Sequence, residues 1–330
     1  SAPLLSSWKT PALRLSLQAF MCNGSVQMMS EALDLLLTTV EELAGHLDSE
    51  IIPTADLLLP LEFHGREYRR VTVIKRLKSH SRPLLISLEG DGGLTTEYLL
   101  KREDVRCEWA AMGLLHLLNR CWEQAGCLGF AAQVYDIIPI GDAAGLIGLV
   151  KDCTTLDRLK READVQGRGR EYRVADFLQG DESALKYLGA STAAYLASNY
   201  FLGVCDGHGD NVMVTRTGCL FRVDFGYVFG NAPKLPVLAI SFDAPVVWLP
   251  EAVVVPLLAA GSWEHVLEES ISLVRKLVEA PGDFWCRILA ACHCIDSLWS
   301  LGSTAYVLSR SVRDFQKAVE CMRGSIMKQL

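Results

Sequence analysis

The amino-acid sequence predicts an α+β fold with two lobes, a small β-rich N-terminal lobe and a larger helical C-terminal lobe. Short runs of strand-forming residues separated by polar turns fill residues 62–100, which is typical of an antiparallel sheet. From about residue 154 onward, apolar residues recur mostly at helical intervals. The chain has 330 residues, half of them hydrophobic, which is enough to bury one large core or two modest ones.

The N-terminal residues predict helix before the sheet begins. Residues 14–47 have apolar side chains at helical spacing, with Gly45 near the end of the predicted helix, and Pro53 and Pro60 predict an irregular connection. We expect three regions. Residues 1–59 are a helical segment, which ends a preceding helical domain or extends the N-lobe. Residues 60–150 are the N-lobe, and residues 151–330 are the C-lobe. The chain begins without Met, which is typical of a piece of a longer protein.

The predicted N-lobe strands are YRRVTVIKRL, RPLLISLE and TEYLLK, followed by a helix that ends at Gly126 and by two further strands, QVYDIIPIG and GLIGLVKD. In the C-lobe, ESALKYLGASTAAYLASNYFLG predicts a long helix rich in small residues. The runs VMV and LFRV then predict a hairpin that turns at Thr217 and Gly218. Residues 251–330 predict amphipathic helices.

The last predicted helix has an apolar face with two interpretations. Val312, Phe315, Val319 and Met322 lie on one side, with basic residues outside it. Such a face either contacts a membrane or packs on the core of the domain.

Composition excludes several classes of protein. A net charge of −7 without a long basic run argues against direct nucleic-acid binding. The eleven cysteines are scattered, and a group formed by Cys286, Cys292, His293 and Cys294 lies in a predicted helix, where adjacent side chains point in different directions. We therefore expect reduced thiols in a cytoplasmic protein. No apolar segment reaches the roughly 20 residues that a membrane span requires.

Residues 203–230, GVCDGHGDNVMVTRTGCLFRVDFGYVFG, carry the candidate chemistry. An Asp-x-His-x-x-Asn loop is followed by the predicted hairpin and then by Asp-Phe-Gly, so the hairpin returns Asn211 and Asp224 to one end. Kinases assemble a metal-bound phosphoryl-transfer site in this way. The pattern predicts Asp206 as the catalytic base, Asn211 and Asp224 as ligands of Mg²⁺ or Mn²⁺, and ATP as the phosphoryl donor.

In this loop Asp precedes His, and the segment resembles the Gly-Val-Gly-Asp-Arg-His-x-x-Asn loop of the phosphatidylinositol 3-/4-kinase superfamily. The resemblance implies its bilobal protein-kinase-like fold and a role for His208 in assisting Asp206. The segment departs from the family pattern at Cys205 and Gly207. Since Gly207 replaces the usual Arg, a catalytically weakened pseudokinase scaffold stays open as an alternative.

The same resemblance implies nucleotide-binding residues in the N-lobe. Lys101 corresponds to the cation for the α- and β-phosphates, and Arg106 and Glu108 stand where the family has Arg and Asp. By resemblance, the phosphate-facing turn comprises Ser79, Ser81 and Arg82. The adenine pocket comprises Tyr135 and Ile147, and the hinge comprises Leu149 and Val150.

The residues after Asp-Phe-Gly indicate the substrate. GYVFGNAPKLPVLAISF contains one basic residue, Lys234, whereas enzymes of this superfamily that use phosphorylated inositol lipids have several cations there. The loop is most like that of class III phosphatidylinositol 3-kinase. We expect a membrane-associated enzyme that phosphorylates phosphatidylinositol, and the resemblance implies the 3-hydroxyl as the position. We expect it to bind peripherally at endomembranes and to have regulatory subunits or a larger parent chain as partners. A 4-kinase and a related serine/threonine protein kinase are alternatives.

Overall fold

The computed structural model describes residues 26–47, 52–63, 66–78, 81–165, 174–205, 208–231 and 247–329. The chain divides into two compact units. The first comprises Ser1–Met112 and Tyr135–Leu149, and the second comprises Gly113–Val134 and Val150–Leu330. The fold class is α+β, with the β-rich part N-terminal and the helical part C-terminal, as the sequence predicts.

The first unit is a six-stranded antiparallel sheet covered by one helix. The helix α1 spans Val26–Ala44, and the sheet has the order β1-β2-β3-β4-β6-β5. The strands are β1 Thr54–Phe63, β2 Arg66–Arg76, β3 Leu84–Gly90, β4 Thr95–Lys101, β5 Ile137–Ile140 and β6 Ala144–Gly148. Buried side chains of α1, among them Leu33, Leu36 and Val40, share one hydrophobic core with strand residues such as Val71 and Ile86, because the apolar stripe of α1 faces the sheet.

The predicted irregular connection around Pro60 is wrong. Pro60 lies inside the strand β1, and the pairing of β1 with β2 shifts register between Asp56 and Leu61. Since β1 is the edge of the sheet, a residue without an N–H group is tolerated there. Periodicity does not reveal which strand is at the edge, so this position of Pro60 was not predictable.

The second unit consists mainly of helices around a three-stranded sheet. The helix α2, Arg106–Gln124, crosses the division between the units; α3 spans Leu156–Val165, α4 Val174–Phe177 and α5 Glu182–Leu202. The sheet has the order β7-β8-β9, with β7 Cys153–Thr155, β8 Val212–Thr215 and β9 Leu220–Arg222. The later helices are α6 Glu251–Ala259, α7 Trp263–Val278, α8 Gly282–Trp299, α9 Ser303–Leu308 and α10 Val312–Gln329.

The long helix α5 is the central element of the second unit. Asp181 caps its start by accepting hydrogen bonds from the backbone N–H groups of Ser183 and Ala184, and Gly203 ends it in the left-handed conformation at φ 60°. Gly189 lets α7 approach closely, since a Cβ there would lie 3.3 Å from a methyl group of Val266. Most of α5 is buried, which explains its content of small residues.

The terminal helix α10 packs on the core. Phe315, Val319 and Met322 are buried, and the ring of Phe315 lies 4.8 Å from that of Tyr200 in α5. Of the two interpretations of this apolar face, the structure therefore supports core packing. Its buried side chains do not present a surface to a membrane.

The cysteines in the described part of the chain are all free thiols. Cys292 is fully buried in α8, whereas Cys286 is exposed, so these two thiols of the predicted cluster do not face one another. Among the described residues, no helix combines the length and the apolar character needed to span a bilayer.

Candidate functional site

The hairpin β8–β9 brings Asn211 and Asp224 next to each other. Val212 pairs with Arg222, and the backbone N–H of Val223 donates to the carbonyl of Asn211 at 3.0 Å, so Asn211 and Asp224 flank the open end of the hairpin. Asp224 is exposed, has φ 66°, and accepts a hydrogen bond from the Gly226 N–H at 3.1 Å. An amide and a carboxylate supply the oxygen ligands that Mg²⁺ prefers, so these two residues fit a magnesium ion.

His208 lies at the start of the short 3₁₀ turn Gly209–Asn211. Its Nδ1 accepts a hydrogen bond from the Asp210 N–H at 3.2 Å and lies 3.8 Å from a carboxylate oxygen of Asp157 and another of Asp210. Because Nδ1 acts as an acceptor, the neutral ring has its proton on Nε2.

Asp157, His208 and Asp210 each place a potential ligand atom within 4.8 Å of the others. Arg161 pairs with Asp210 at 2.9 Å, and this cation offsets the charge that would attract a metal ion. We therefore interpret the group as an anchor that fastens the loop to α3. Gly209 lies close to Asp157, since a Cβ there would be 2.3 Å from a carboxylate oxygen of Asp157, which would have to move.

The chain before Asp206 is also paired with the chain after Asp-Phe-Gly. The N–H of Cys205 donates to the carbonyl of Tyr227 at 2.9 Å, and the N–H groups of Phe229 and Gly230 donate to Leu202 and Gly203. This backbone ladder fixes the two segments relative to each other.

The ring of Tyr306, from α9, packs against this ladder. A Cβ at Gly203 would lie 2.2 Å from the Tyr306 ring, and a Cβ at Gly230 would lie 2.8 Å from it. Burial raises the pKa of the Tyr306 hydroxyl, so the ring stays neutral. The C-terminal helices thus contact both segments of the ladder.

In the first unit, Lys101 ends β4 beside a buried acid. Its Nζ lies 2.9 Å from Glu103 and 3.9 Å from Glu108, in the first turn of α2. Glu108 is only 7% exposed, and it accepts a hydrogen bond from the hydroxyl of Tyr135 at 2.7 Å. The structure therefore groups Lys101, Glu108 and Tyr135, three of the residues that the sequence predicts at a nucleotide. Arg106 instead pairs with Asp104 in its own loop.

Other predicted nucleotide-binding residues lie in the following places. Ser81 and Arg82 are in the turn between β2 and β3, which the hydrogen bond from Leu77 N–H to the Pro83 carbonyl closes. Ile147 is buried in β6, opposite Leu99 and Ile137. Leu149 follows β6, and its N–H donates to the Glu97 carbonyl at 3.4 Å. The carbonyl of Val150 accepts a hydrogen bond from the thiol of Cys153. The Leu149 N–H and the Val150 carbonyl, which the sequence-based assignment places at a hinge, therefore both make contacts within the protein.

Three predicted site residues, Ser79, Asp206 and Lys234, lie outside the described residues. Their roles stay predictions.

Sequence reasoning missed Asp157, Asp210, Tyr306 and Arg222 as residues around the loop. Arg222 is 5% exposed, and its Nη2 donates to the carbonyl of Cys205 at 2.7 Å. Its one sequence signal is a charged residue inside the apolar run LFRV, which is unusual for a buried strand. Asp210 lies in the loop itself, whereas Asp157 and Tyr306 gave no signal, because tertiary packing alone brings them to the loop.

The fold, a loop that ends at Asn211 and a hairpin followed by Asp224 are together typical of a kinase-like class of protein. Residues 177–253 match the family model described as phosphatidylinositol 3- and 4-kinase. The match contains His208, Asn211 and Asp224, and it does not extend to Lys101.

Similar proteins have names from the same family. The human phosphatidylinositol 3-kinase C2 domain-containing subunit gamma is 31% identical over 137 residues, which are 39% of this chain and 9% of that protein. The human phosphatidylinositol 4-phosphate 3-kinase C2 domain-containing subunit beta is 28% identical over 137 residues, 39% of this chain and 8% of that protein. Phosphatidylinositol 3-kinase 2 of Dictyostelium discoideum is 26% identical over 171 residues, 49% of this chain and 8% of that protein.

These matches confirm the resemblance to the phosphatidylinositol 3- and 4-kinase superfamily, which the family model locates at residues 177–253. The matched region spans less than a tenth of the length of each of these relatives.

Proposed function

We propose that this chain is the catalytic part of a lipid kinase that transfers the γ-phosphoryl group of ATP to the 3-hydroxyl of phosphatidylinositol. The observation that carries the proposal is the pairing of Asn211 with Val223, which places an amide and the Asp224 carboxylate at the same end of one hairpin. The family match over residues 177–253 includes this hairpin.

The roles of the residues follow from their chemistry. Asn211 and Asp224 hold the divalent ion, which neutralises charge on the phosphates when bound. Asp206 accepts the proton of the inositol hydroxyl, and His208, whose ring is oriented by the Asp210 N–H, assists it. Lys101 binds the nucleotide phosphates, and Glu108 and Tyr135 hold Lys101 and each other in place. In the sequence-based assignment, Ser79, Ser81 and Arg82 meet the phosphates, and Tyr135, Ile147, Leu149 and Val150 meet the base.

The substrate assignment rests on charge. Each additional phosphate on the inositol ring needs a cation to meet it, and the segment after Asp-Phe-Gly offers Lys234 alone over residues 227–243. We therefore propose unphosphorylated phosphatidylinositol as the substrate and peripheral binding to endomembranes, as in class III enzymes. Regulatory subunits or the rest of a longer parent chain would supply the targeting.

The pseudokinase scaffold is the second candidate, and Gly207 favours it, because the superfamily loop has Arg at this position. A protein kinase with the same loop is the third. Both make predictions that differ from ours. The scaffold transfers no phosphoryl group, and the protein kinase transfers it to serine or threonine rather than to a lipid.

The test compares two Asp→Asn variants. Asp224→Asn removes the proposed metal ligand, and we expect kcat to fall by about 1,000-fold or more, because the loss of a metal contact costs several kcal/mol in the transition state. Asp152→Asn is the matched control: Asp152 is also exposed, also in the second unit and also at positive φ, 52° against 66°. Asn tolerates this conformation as well as Asp does.

The measurement is transfer of labelled phosphate from ATP with Mg²⁺ to vesicles that contain phosphatidylinositol, followed by identification of the phosphorylated position. Near-normal transfer by Asp224→Asn contradicts the site. A product phosphorylated at the 4-hydroxyl contradicts the assigned position, and transfer to a protein substrate but not to vesicles contradicts the lipid assignment.

A further inference from the structure

Arg222 is a buried cation in the strand that leads to Asp-Phe-Gly. It is 5% exposed and lies in β9 between Phe221 and Val223. Burying a guanidinium group costs free energy unless its N–H groups are hydrogen bonded. A residue of this kind is therefore retained at a buried position when its hydrogen bonds do something that an apolar side chain does not.

The contacts of Arg222 lead to the candidate catalytic loop. Its Nη2 donates to the carbonyl oxygen of Cys205 at 2.7 Å. Burial raises the pKa of the Tyr195 hydroxyl in α5, and Arg222 and Asn199 act in the opposite direction, so Arg222 interacts with this hydroxyl. Tyr195 is itself 5% exposed, so the interaction lies in a buried part of the unit.

Both backbone polar groups of Cys205 are therefore engaged. Its N–H donates to Tyr227 at 2.9 Å, and its carbonyl accepts from Arg222. That carbonyl belongs to the peptide bond that joins Cys205 to Asp206, and Arg222 stands two residues before Asp224. Arg222 thus ties the chain next to the proposed base to the chain next to the proposed metal ligand.

We propose that Arg222 is a positioning residue, which fixes the Cys205 carbonyl and thereby holds the chain that enters the candidate catalytic loop against the strand that leads to Asp224. The proposal rests on the proposed function for its catalytic consequence, but the structural part is independent of the reaction. Because Arg222 is 5% exposed, we assign it no direct contact with substrate or nucleotide. Its removal lowers kcat, because misplacement of a reacting group by about 1 Å costs about 100-fold, and it leaves nucleotide binding unchanged.

Arg222→Gln is the principal variant, and Arg216→Gln is its matched control. Arg216 follows β8 in the same hairpin, donates to the backbone carbonyl of Phe177 at 2.5 Å and stacks on the Phe177 ring, so its bonds go to α4 and not to the loop. We expect Arg222→Gln to reduce kcat about 100-fold with an unchanged KM for ATP, and Arg222→Lys, which keeps the charge and one donor, to recover part of the loss.

Hydrogen exchange supplies a readout that does not depend on activity. Peptides that contain residues 203–211 should exchange faster in Arg222→Gln than in the wild type and in Arg216→Gln, because Cys205 loses one of its two backbone anchors. Equal exchange and equal kcat in the two Gln variants overturn the proposal. A raised KM for ATP together with an unchanged kcat overturns it as well.

Tyr195→Phe decides the question if Arg222→Gln fails to fold. Loss of the Tyr195 hydroxyl should loosen Arg222, so faster exchange over 203–211 and a lower kcat support the proposal, whereas wild-type values of both overturn it. If the wild-type protein transfers no phosphate, the proposed function fails, and the exchange data still show whether Arg222 holds the loop.

Discussion

The side chain of Asp296 caps a helix that begins several residues later in the chain. This residue, in the last turn of α8, accepts hydrogen bonds from the backbone N–H groups of Ser303 and Thr304 at 2.6 and 3.0 Å, and so caps the start of α9. Burial alone would raise the pKa of Asp296, but the hydrogen bonds from Thr304 and Ser303 outweigh it and hold the pKa below the usual 3.8. The helix α9 carries Tyr306, which contacts the backbone ladder at Gly203 and Gly230.

We expect Asp296→Asn to lower the free energy of unfolding at pH 7 by about 1 kcal/mol, as loss of a helix cap does. A group whose pKa is lowered on folding contributes stability above its unfolded pKa and loses it as the pH falls through the folded value. The difference between wild type and variant should therefore be constant above about pH 5 and shrink below pH 3.8. Urea unfolding at several pH values measures it, and a difference independent of pH contradicts the assignment.

The motif was recognisable in the sequence, and the roles of its residues stay predictions. The identities and order of His208, Asn211 and Asp224 suggested their chemistry, because a loop and a short hairpin constrain where these side chains go. The partners of His208 and Asp210 were not predictable, because Asp157 and Arg161 come from a helix far earlier in the chain. No local rule of sequence connects them.

At the scale of elements, the hairpin β8–β9 is held by helix α5. The hydroxyl of Ser191 donates to the Gly218 carbonyl at 3.1 Å and accepts from the Leu220 N–H at 2.9 Å. Gly218, at φ 90°, lies so close to α5 that an added Cβ would be 1.9 Å from the carbonyl oxygen of Ala184. The hairpin turn therefore needs glycine both for its conformation and for its packing.

We expect Gly218→Ala to lower the free energy of unfolding by about 3 kcal/mol, from the strain of positive φ and from the overlap with backbone. Gly261→Ala is the control, since Gly261 has φ 67° with nothing within 4 Å of an added Cβ, and it should cost about 1 kcal/mol. Chemical denaturation of the two variants separates the contributions. Equal losses would show that the approach to α5 does not matter.

Elements with strong periodicity were predicted well, whereas the position of a strand at the edge of the sheet was not. The helices α1, α2 and α5 and the turn at Gly218 appear where their patterns place them. Pro60 was misread because the rule against proline applies to central strands, and only the assembled sheet shows that β1 is at its edge.

For the whole molecule, binding of nucleotide with metal should stabilise the folded state. A ligand that binds only the folded protein adds about 2.7 kcal/mol at a concentration 100 times its Kd. We expect ATP with Mg²⁺ to raise the Tm, and ATP with EDTA to raise it much less, since in the proposed site the phosphates bind together with an ion that Asn211 and Asp224 would hold. Equal shifts with and without Mg²⁺ favour the scaffold.

The sequence by itself determined the fold class, the helical and β-rich parts, the hairpin and the resemblance to a family, because these depend on periodicity, turn chemistry and a motif of neighbouring residues. Only the tertiary structure decided that Glu108 pairs with Lys101, that Arg222 holds Cys205, and that the apolar face of α10 is buried. Each of these contacts joins residues on different elements. Their free energy arises from burial and from hydrogen bonds that exist only after the chain has packed.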